Sequence, residues 1–72
     1  MLVQIKFTCT DEFGSWQSER AGFADNDTDA VQWANDAIRY ERERWSDTDF
    51  SNIVLIQPDL NGFNDRFISR IN

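Results

Sequence analysis

Apolar and polar residues alternate along the first part of the chain. Across residues 2–10 every second residue is apolar, and these residues are Val3, Ile5, Phe7 and Cys9. A period of two predicts a half-buried strand. The polar break that follows, which ends in Gly14, predicts a hairpin loop, and residues 15–23 predict a second strand. Neither face of this strand is cleanly apolar, which is typical of an edge strand or of one with a bulge near Gly22.

The middle of the chain has the spacing of an amphipathic helix. Residues 25–29 are Asp, Asn and Thr, whose side-chain oxygens can cap the first helical turn and whose carboxylates suit its positive end. We therefore expect a helix from about Thr28 to about Arg44. Apolar residues recur at spacings of three and four along it, namely Ala30, Ala34, Ala37, Ile38 and Trp45. The small alanines indicate a helix that lies close against a sheet.

Two further strands are predicted in the remainder of the chain. Residues 45–52 are mostly polar and predict a loop, whereas residues 53–57 are apolar and β-branched and predict a central strand. Asn61 and Gly62 suit a turn. Residues 63–71 fit either a strand or a helix, because Leu60, Phe63, Phe67 and Ile71 also line up at helical spacing. The apolar strand and the turn before them favour a hairpin.

These segments together predict one α+β domain over residues 1–72. The order β-β-α-β-β gives an antiparallel sheet with one amphipathic helix packed on one face. A chain of 72 residues has room for one thin core. We expect this core to contain the aromatic residues Phe7, Phe23, Trp45 and Phe67. The second face of the sheet stays open unless long side chains or a partner cover it.

Composition excludes several kinds of chemistry. The chain has 13 acidic and 7 basic residues, a net charge of −6, no His and one Cys. Histidine-based catalysis and zinc sites with nitrogen and sulfur ligands are therefore absent, and Cys9 is expected to be a buried small apolar residue. We expect no enzyme activity, no cofactor and no metal. A signal-peptide pattern and a membrane-spanning apolar run are both missing, so we expect a cytoplasmic protein.

One local pattern resembles the start of a calcium loop. Its first three ligand positions are occupied by acids, with a fourth acid at the twelfth position: Asp25, Asp27, Asp29 and Asp36. The sixth position, where such a loop needs Gly, is Ala30. Because the residues from Thr28 onward favour a helix, capping of that helix explains the acids better than a metal does.

Six of the seven basic residues are Arg, which suggests an alternative function. Three arginines lie near the predicted helix end, and two share a face of the predicted last strand: Arg39, Arg42, Arg44, Arg66 and Arg70. Guanidinium groups beside aromatic rings can bind phosphate or stack on bases, so a small nucleic-acid-binding protein is one alternative. The acidic balance argues against direct nucleic-acid binding, since a groove that tracks phosphates should be net positive.

The chain has more aromatic residues than a core of this size can bury, with six Phe, three Trp and one Tyr. Exposed Trp and Tyr beside Arg are typical of binding hot spots, and acids steer a basic partner toward them. We therefore predict a non-catalytic protein-binding module whose partner has a basic surface. Its predicted partner-binding residues are Trp16, Trp33, Tyr40, Arg44, Asp25, Asp27, Asp29, Asp36, Asp47 and Asp49. A homodimer with a structural role is a further alternative, because a second copy would also cover the spare rings.

In length, acidic charge and element order, the whole chain resembles small phage-encoded anti-CRISPR proteins. Those proteins bind Cas complexes, often over the Arg- and Lys-rich surface that holds guide RNA or target DNA. The resemblance implies an inhibitor that acts in the host cytoplasm by occupying a basic, nucleic-acid-binding surface of a larger complex. It carries no functional residue over to this sequence.

Overall fold

A four-stranded antiparallel sheet and one helix form the fold, which confirms the predicted α+β class. The computed structural model describes residues 1–72. The spatial order of the strands is β2-β1-β3-β4, so β2 and β4 are the two edges. The elements are β1 (Leu2–Asp11), β2 (Gly14–Phe23), α1 (Asp27–Arg44), β3 (Asp49–Gln57) and β4 (Arg66–Ile71).

The two faces of the sheet follow from the alternation in β1. The predicted apolar face of β1 is buried under α1, and its residues are Val3, Ile5, Phe7 and Cys9. The opposite face has no covering layer. Gln4 lies opposite Ile56, which in turn lies opposite Phe67, so these three residues share the open face. Lys6 and Val54 form the next pair on that face.

The helix begins and packs largely as predicted. Asn26 is the N-cap, and its side-chain oxygen accepts a hydrogen bond from the Asp29 backbone N–H at 2.9 Å. The predicted apolar stripe is buried against the sheet at Ala30, Ala34, Ala37 and Ile38. Trp45 is the exception, because it is the C-cap at which the helix ends, and it is half exposed. No helix in the protein combines the length and the apolar character needed to cross a membrane.

The prediction of an aromatic core is wrong for three of its four members. Phe7 is buried, but Phe23 is 79% exposed, Phe67 is 61% exposed and Trp45 is 50% exposed. Phe23 ends β2 opposite Leu2, and Phe67 lies on the open face, so neither can reach α1. The core is therefore mainly aliphatic, with small helix residues above branched strand residues.

Two details of the strands differ from the sequence-based expectation. β3 begins at Asp49, four residues earlier than predicted, and Asn52 has a positive φ of 51° where the β1–β3 register shifts. β2 is an edge strand with an unbroken register, so the alternative of a bulge near Gly22 is wrong. The final segment is a strand, which excludes the helical alternative.

Candidate functional site

One end of the molecule gathers acidic and aromatic residues from separate segments. The β1–β2 turn and the α1–β3 connection lie side by side there, because Thr10 pairs with Asp49 across the antiparallel strands β1 and β3. The concave surface between them is lined by Asp11, Glu12, Phe13, Trp45, Asp47 and Thr48. We call these six residues, together with Asp49, the acidic end.

Local hydrogen bonds hold the two segments of the acidic end in shape. Asp11 Oδ1 accepts a hydrogen bond from the Phe13 N–H at 2.8 Å, which closes the hairpin turn. Gly14 follows with a φ of 140°, a conformation that a residue with a Cβ rarely adopts. The Thr48 N–H donates to the Trp45 carbonyl oxygen at 3.1 Å and tightens the second segment. Phe13 is left 90% exposed at the tip of the turn.

The carboxylates of the acidic end have no ion-pair partner. Four acids elsewhere in the fold are paired with cations, in the pairs Lys6–Asp65, Arg20–Glu41, Arg39–Asp36 and Arg66–Asp27. Asp11, Glu12, Asp47 and Asp49 are not among them. Arg44 lies against the ring of Trp45, with 5.1 Å between its guanidinium carbon and the ring centroid. The acidic end therefore has four carboxylates outside any ion pair and one neighbouring cation, which leaves it net negative.

A cleft with aromatic walls opens beside the acidic end, between α1 and the sheet. Its volume is about 340 Å³. We call it the aromatic cleft, and its principal lining residues are Phe7, Trp16, Trp45, Phe50, Asp11 and Glu41. Phe7 and Phe50 meet edge to face with their centroids 5.7 Å apart. Trp16 and Trp45 are each about half exposed, so the cleft presents ring surface to solvent.

Two polar side chains of the aromatic cleft, Glu41 and Cys9, are held in unreactive states. The Glu41 side chain is only 14% exposed, and Oε1 accepts a hydrogen bond from Arg20 at 2.7 Å. Burial raises the pKa of the Cys9 thiol, and the negative charge of Glu41 raises it further. Cys9 is therefore held as the neutral thiol, which is a poor nucleophile. Its predicted burial is confirmed.

A second surface brings together four of the predicted partner-binding residues. These residues are Trp33, Asp36, Tyr40 and Arg44, which line a shallow groove between α1 and the edge strand β2. We call it the β2 groove. Arg20 crosses it, bonded to Glu41 and stacked 5.5 Å from the centroid of the Tyr40 ring. Tyr40 is about half exposed, whereas Trp33 is partly buried and packs against the core.

The structure places the other predicted acids away from the acidic end. Asp25, Asp27 and Asp29 surround the start of α1, at the end of the helix opposite to Trp45. Both carboxylate oxygens of Asp27 accept hydrogen bonds from Arg66, at 2.7 and 3.0 Å, which lowers the pKa of Asp27. Asp36 lies inside the helix and binds Arg39 and Gln32. No three acids, Cys or His converge in a way that could hold a metal ion.

The arginines do not form one basic surface. The strand β4 contains a bulge at Ile68, because Leu55 pairs with Ser69 whereas Ile56 pairs with Phe67. The expectation that Arg66 and Arg70 share a face is therefore wrong. Arg66 reaches the start of α1, while Arg70 lies opposite Val54 on the open face. The helical arginines lie elsewhere again, with Arg42 donating to the terminal Asn72 carbonyl oxygen.

Sequence reasoning missed five of the seven residues of the acidic end. Asp47 and Asp49 were among the predicted residues, but Asp11, Glu12, Phe13, Trp45 and Thr48 were not. The available signal was the exposed hairpin loop, where a Phe follows two acids and precedes a Gly. Recognising the site also required the pairing of β1 with β3, which brings together residues almost forty positions apart.

Comparison with protein-family models, with curated proteins and with solved structures gives no significant match to this chain. The fold and the surface define a class only: a small α+β domain with an acidic, aromatic end.

Proposed function

We propose that this protein is a non-catalytic protein-binding module that inhibits a larger complex by occupying a basic surface. Its binding surface under this proposal is the acidic end together with the mouth of the aromatic cleft. The observation that carries the proposal is the concentration of four unpaired carboxylates around exposed aromatic rings. Binding residues retained from the sequence-based set are Trp16, Asp47 and Asp49, and those added are Asp11, Glu12, Phe13 and Trp45.

The charge of this surface favours a cationic partner. Unpaired carboxylates attract Lys and Arg side chains, increase the rate of encounter and repel nucleic acid. They also cost little to bring into contact with cations, because no internal ion pair must first be broken. A basic surface that otherwise holds RNA or DNA has the complementary charge pattern.

The aromatic residues favour the same kind of partner. Trp and Tyr faces attract guanidinium and ammonium groups, with Trp the strongest, and large rings supply most of the energy at binding hot spots. Trp16 and Trp45 present ring surface next to Asp11 in the aromatic cleft. An arginine or lysine side chain of the partner would meet a ring face and a carboxylate at once.

A guide-RNA-loaded Cas complex is the partner class that the resemblance to anti-CRISPR proteins suggests. Under this proposal the protein is phage-encoded and acts in the cytoplasm of the host cell. It competes with nucleic acid for the basic surface and needs no cofactor. Inhibition of target-DNA binding by such complexes, measured by fluorescence anisotropy, tests this narrower form of the proposal.

The general form of the proposal, binding to a basic surface, is tested with a short arginine-rich peptide that stands in for such a surface. The ¹⁵N-labelled protein is titrated at low salt, and amide shifts are expected at residues 11–13 and 45–49. The affinity should fall as salt is added, because exposed charges are screened. A peptide in which Gln replaces every Arg should cause no shifts.

Two variants with the same change in charge locate the surface. Glu12→Gln with Asp47→Asn removes two charges from the acidic end and should weaken peptide binding roughly fivefold to tenfold. Asp25→Asn with Asp29→Asn removes two exposed charges at the start of α1 and should leave binding within about twofold of the wild type. Equal losses in the two variants, or shifts at the start of α1 instead, would contradict the proposal.

A further inference from the structure

The two edges of the sheet are built differently. β4 has six residues, is bulged at Ile68 and carries Arg66 and Arg70, which are devices that discourage pairing with another chain. β2 has ten residues, an unbroken register and no Pro, and its two charged residues, Glu19 and Arg20, have opposite signs. Most of its residues are exposed, and no further strand covers its outer side. β2 is therefore an open template for another strand.

The hairpin turn determines which backbone groups of β2 point outward. Asp11 pairs with Gly14 across a two-residue turn, so these two residues form a hydrogen-bonded pair, and such pairs alternate along an antiparallel ladder. Even-numbered residues of β2 therefore bond to β1. The outward N–H and C=O groups belong to Ser15, Gln17, Glu19 and Ala21, spread over the length of the strand.

The side chains of β2 are complementary to a second, antiparallel copy of the same strand. If the two-fold axis passes through Ser18, Trp16 lies opposite the partner's Arg20, and Gln17 lies opposite the partner's Glu19. The first pair places an indole beside the guanidinium that Glu41 and Tyr40 of its own copy already hold in position, and the second allows an amide to donate to a carboxylate. Both pairs occur twice because of the symmetry.

Neighbouring registers lack this complementarity. An axis through Glu19 sets two carboxylates opposite each other, and an axis through Arg20 does the same with two guanidinium groups, which like-charge repulsion disfavours. An axis through Gln17 leaves Arg20 opposite Gly14. The Ser18 register also brings Phe13 next to the partner's Phe23, and these rings are 90% and 79% exposed in one copy.

We infer that two copies of this chain pair through β2, antiparallel and centred on Ser18, to form a continuous eight-stranded sheet. The pairing unites the β2 grooves of the two copies on the helix side of the new sheet. It shares Phe13 and Trp16 with the surface of the proposed function but uses none of the four carboxylates there, and it does not depend on that function.

Cysteine scanning tests both the dimer and its register. In a Cys9→Ala background, Ser18→Cys places two thiols across the two-fold axis at a non-hydrogen-bonded pair, where strands are closest. Gln17→Cys and Glu19→Cys are the matched controls, because each lies diagonally from its own copy. Under mild oxidation the Ser18→Cys variant should form a covalent dimer roughly tenfold faster than either control.

The wild-type protein should have twice the mass of one chain in light scattering after size exclusion. Gln17→Pro removes an outward N–H without breaking a bond to β1, and it should give a monomer with an unchanged circular dichroism spectrum. A wild-type monomer at high concentration would overturn the dimer. Faster cross-linking of either control variant would overturn the register while leaving the peptide test of the proposed function unaffected.

Discussion

Gly22 is where α1 comes closest to the edge strand. The indole of Trp33 lies directly over it, and a Cβ at this position would be 2.6 Å from both Cζ2 and Nε1 of the ring. Glycine is needed here because a side chain would collide with the ring. It is not needed for its conformational freedom, since its φ lies outside the left-handed region. Trp33 is therefore engaged in packing within one copy, which makes it a poorer candidate anchor than Trp16.

Gly22→Ala should destabilise the protein, because the new methyl group forces the indole to move. We expect a loss of about 1–3 kcal/mol in the free energy of unfolding, measured with urea. The same substitution in a Trp33→Leu background should cost much less, since the ring is gone. Equal costs in the two backgrounds would show that the close contact with the ring is not the cause.

The Asp27–Arg66 pair should make the stability of the fold depend on pH through the ionisation of Asp27. The hydrogen bonds from Arg66 hold the pKa of Asp27 below its ordinary value. The pair therefore stabilises the folded state at pH values above the ordinary pKa of an Asp side chain. This contribution is lost as the pH falls through the lowered pKa that Asp27 has in the folded state. Arg66→Gln should raise the pKa of Asp27, as measured by carboxyl ¹³C NMR. Arg70→Gln, on the opposite face of β4, should leave that pKa unchanged, and an effect there would contradict the assignment.

At the scale of elements, the β3–β4 connection is built around one carboxylate. Asp59 accepts hydrogen bonds from the N–H groups of Asn61, Phe63 and Asn64, at 3.1, 3.3 and 3.2 Å. Bonds from Asn61 and Asn64 are the main reason that the pKa of Asp59 is lowered. The Asp59 N–H in turn donates to Asp65 at 2.9 Å. These hydrogen bonds fix the shape of a loop in which two apolar side chains, Leu60 and Phe63, are exposed.

Asp59→Ala should loosen this loop without unfolding the sheet. The amides of Asn61, Phe63 and Asn64 lose their acceptor, and their hydrogen exchange should become about tenfold faster or more. Exchange in β3 should stay slow. Asp47→Ala removes a loop acid that accepts no such bonds and serves as the control. Uniform acceleration across β3 in the Asp59 variant would mean that the loop is part of the cooperative core.

The elements with regular periodicity were predictable from the sequence. β1 alternates without a fault, and α1 has an alanine stripe after a run of capping residues, so local pattern and tertiary burial agree. The start of β3 was missed because Asn52, with its φ of 51°, interrupts the alternation at a bulge. Phe23 and Phe67 were misplaced because hydrophobicity alone does not reveal which face of a strand is covered.

The acidic end was only partly predictable for a different reason. Asp47 and Asp49 are conspicuous acids in a polar segment, but their neighbours Asp11 and Glu12 come from a distant turn. Only the antiparallel pairing of β1 with β3 brings the two groups together. Composition correctly indicated excess acid and excess aromatic rings, while the positions of both depended on the strand order.

At the scale of the whole molecule, the protein is a thin slab of 35 × 24 × 15 Å. Two layers, one of which is a single helix, cannot cover both faces of four strands, so apolar and charged residues reach the surface at both ends. In the inferred dimer the two-fold axis points the two acidic ends in opposite directions. One dimer could then engage two basic surfaces, which raises the effective affinity for a partner with repeated sites.

The short, bulged strand β4 has a consequence for how far assembly can proceed. A sheet with two receptive edges would keep adding copies and grow into fibrils. Here the symmetric pairing of β2 with the partner's β2 uses the open edge of each copy. The outermost strands of the combined sheet are then the two copies of β4, which are bulged and carry arginines. In the inferred dimer, growth of the sheet therefore stops at two copies, because neither outer edge offers a regular strand to a third.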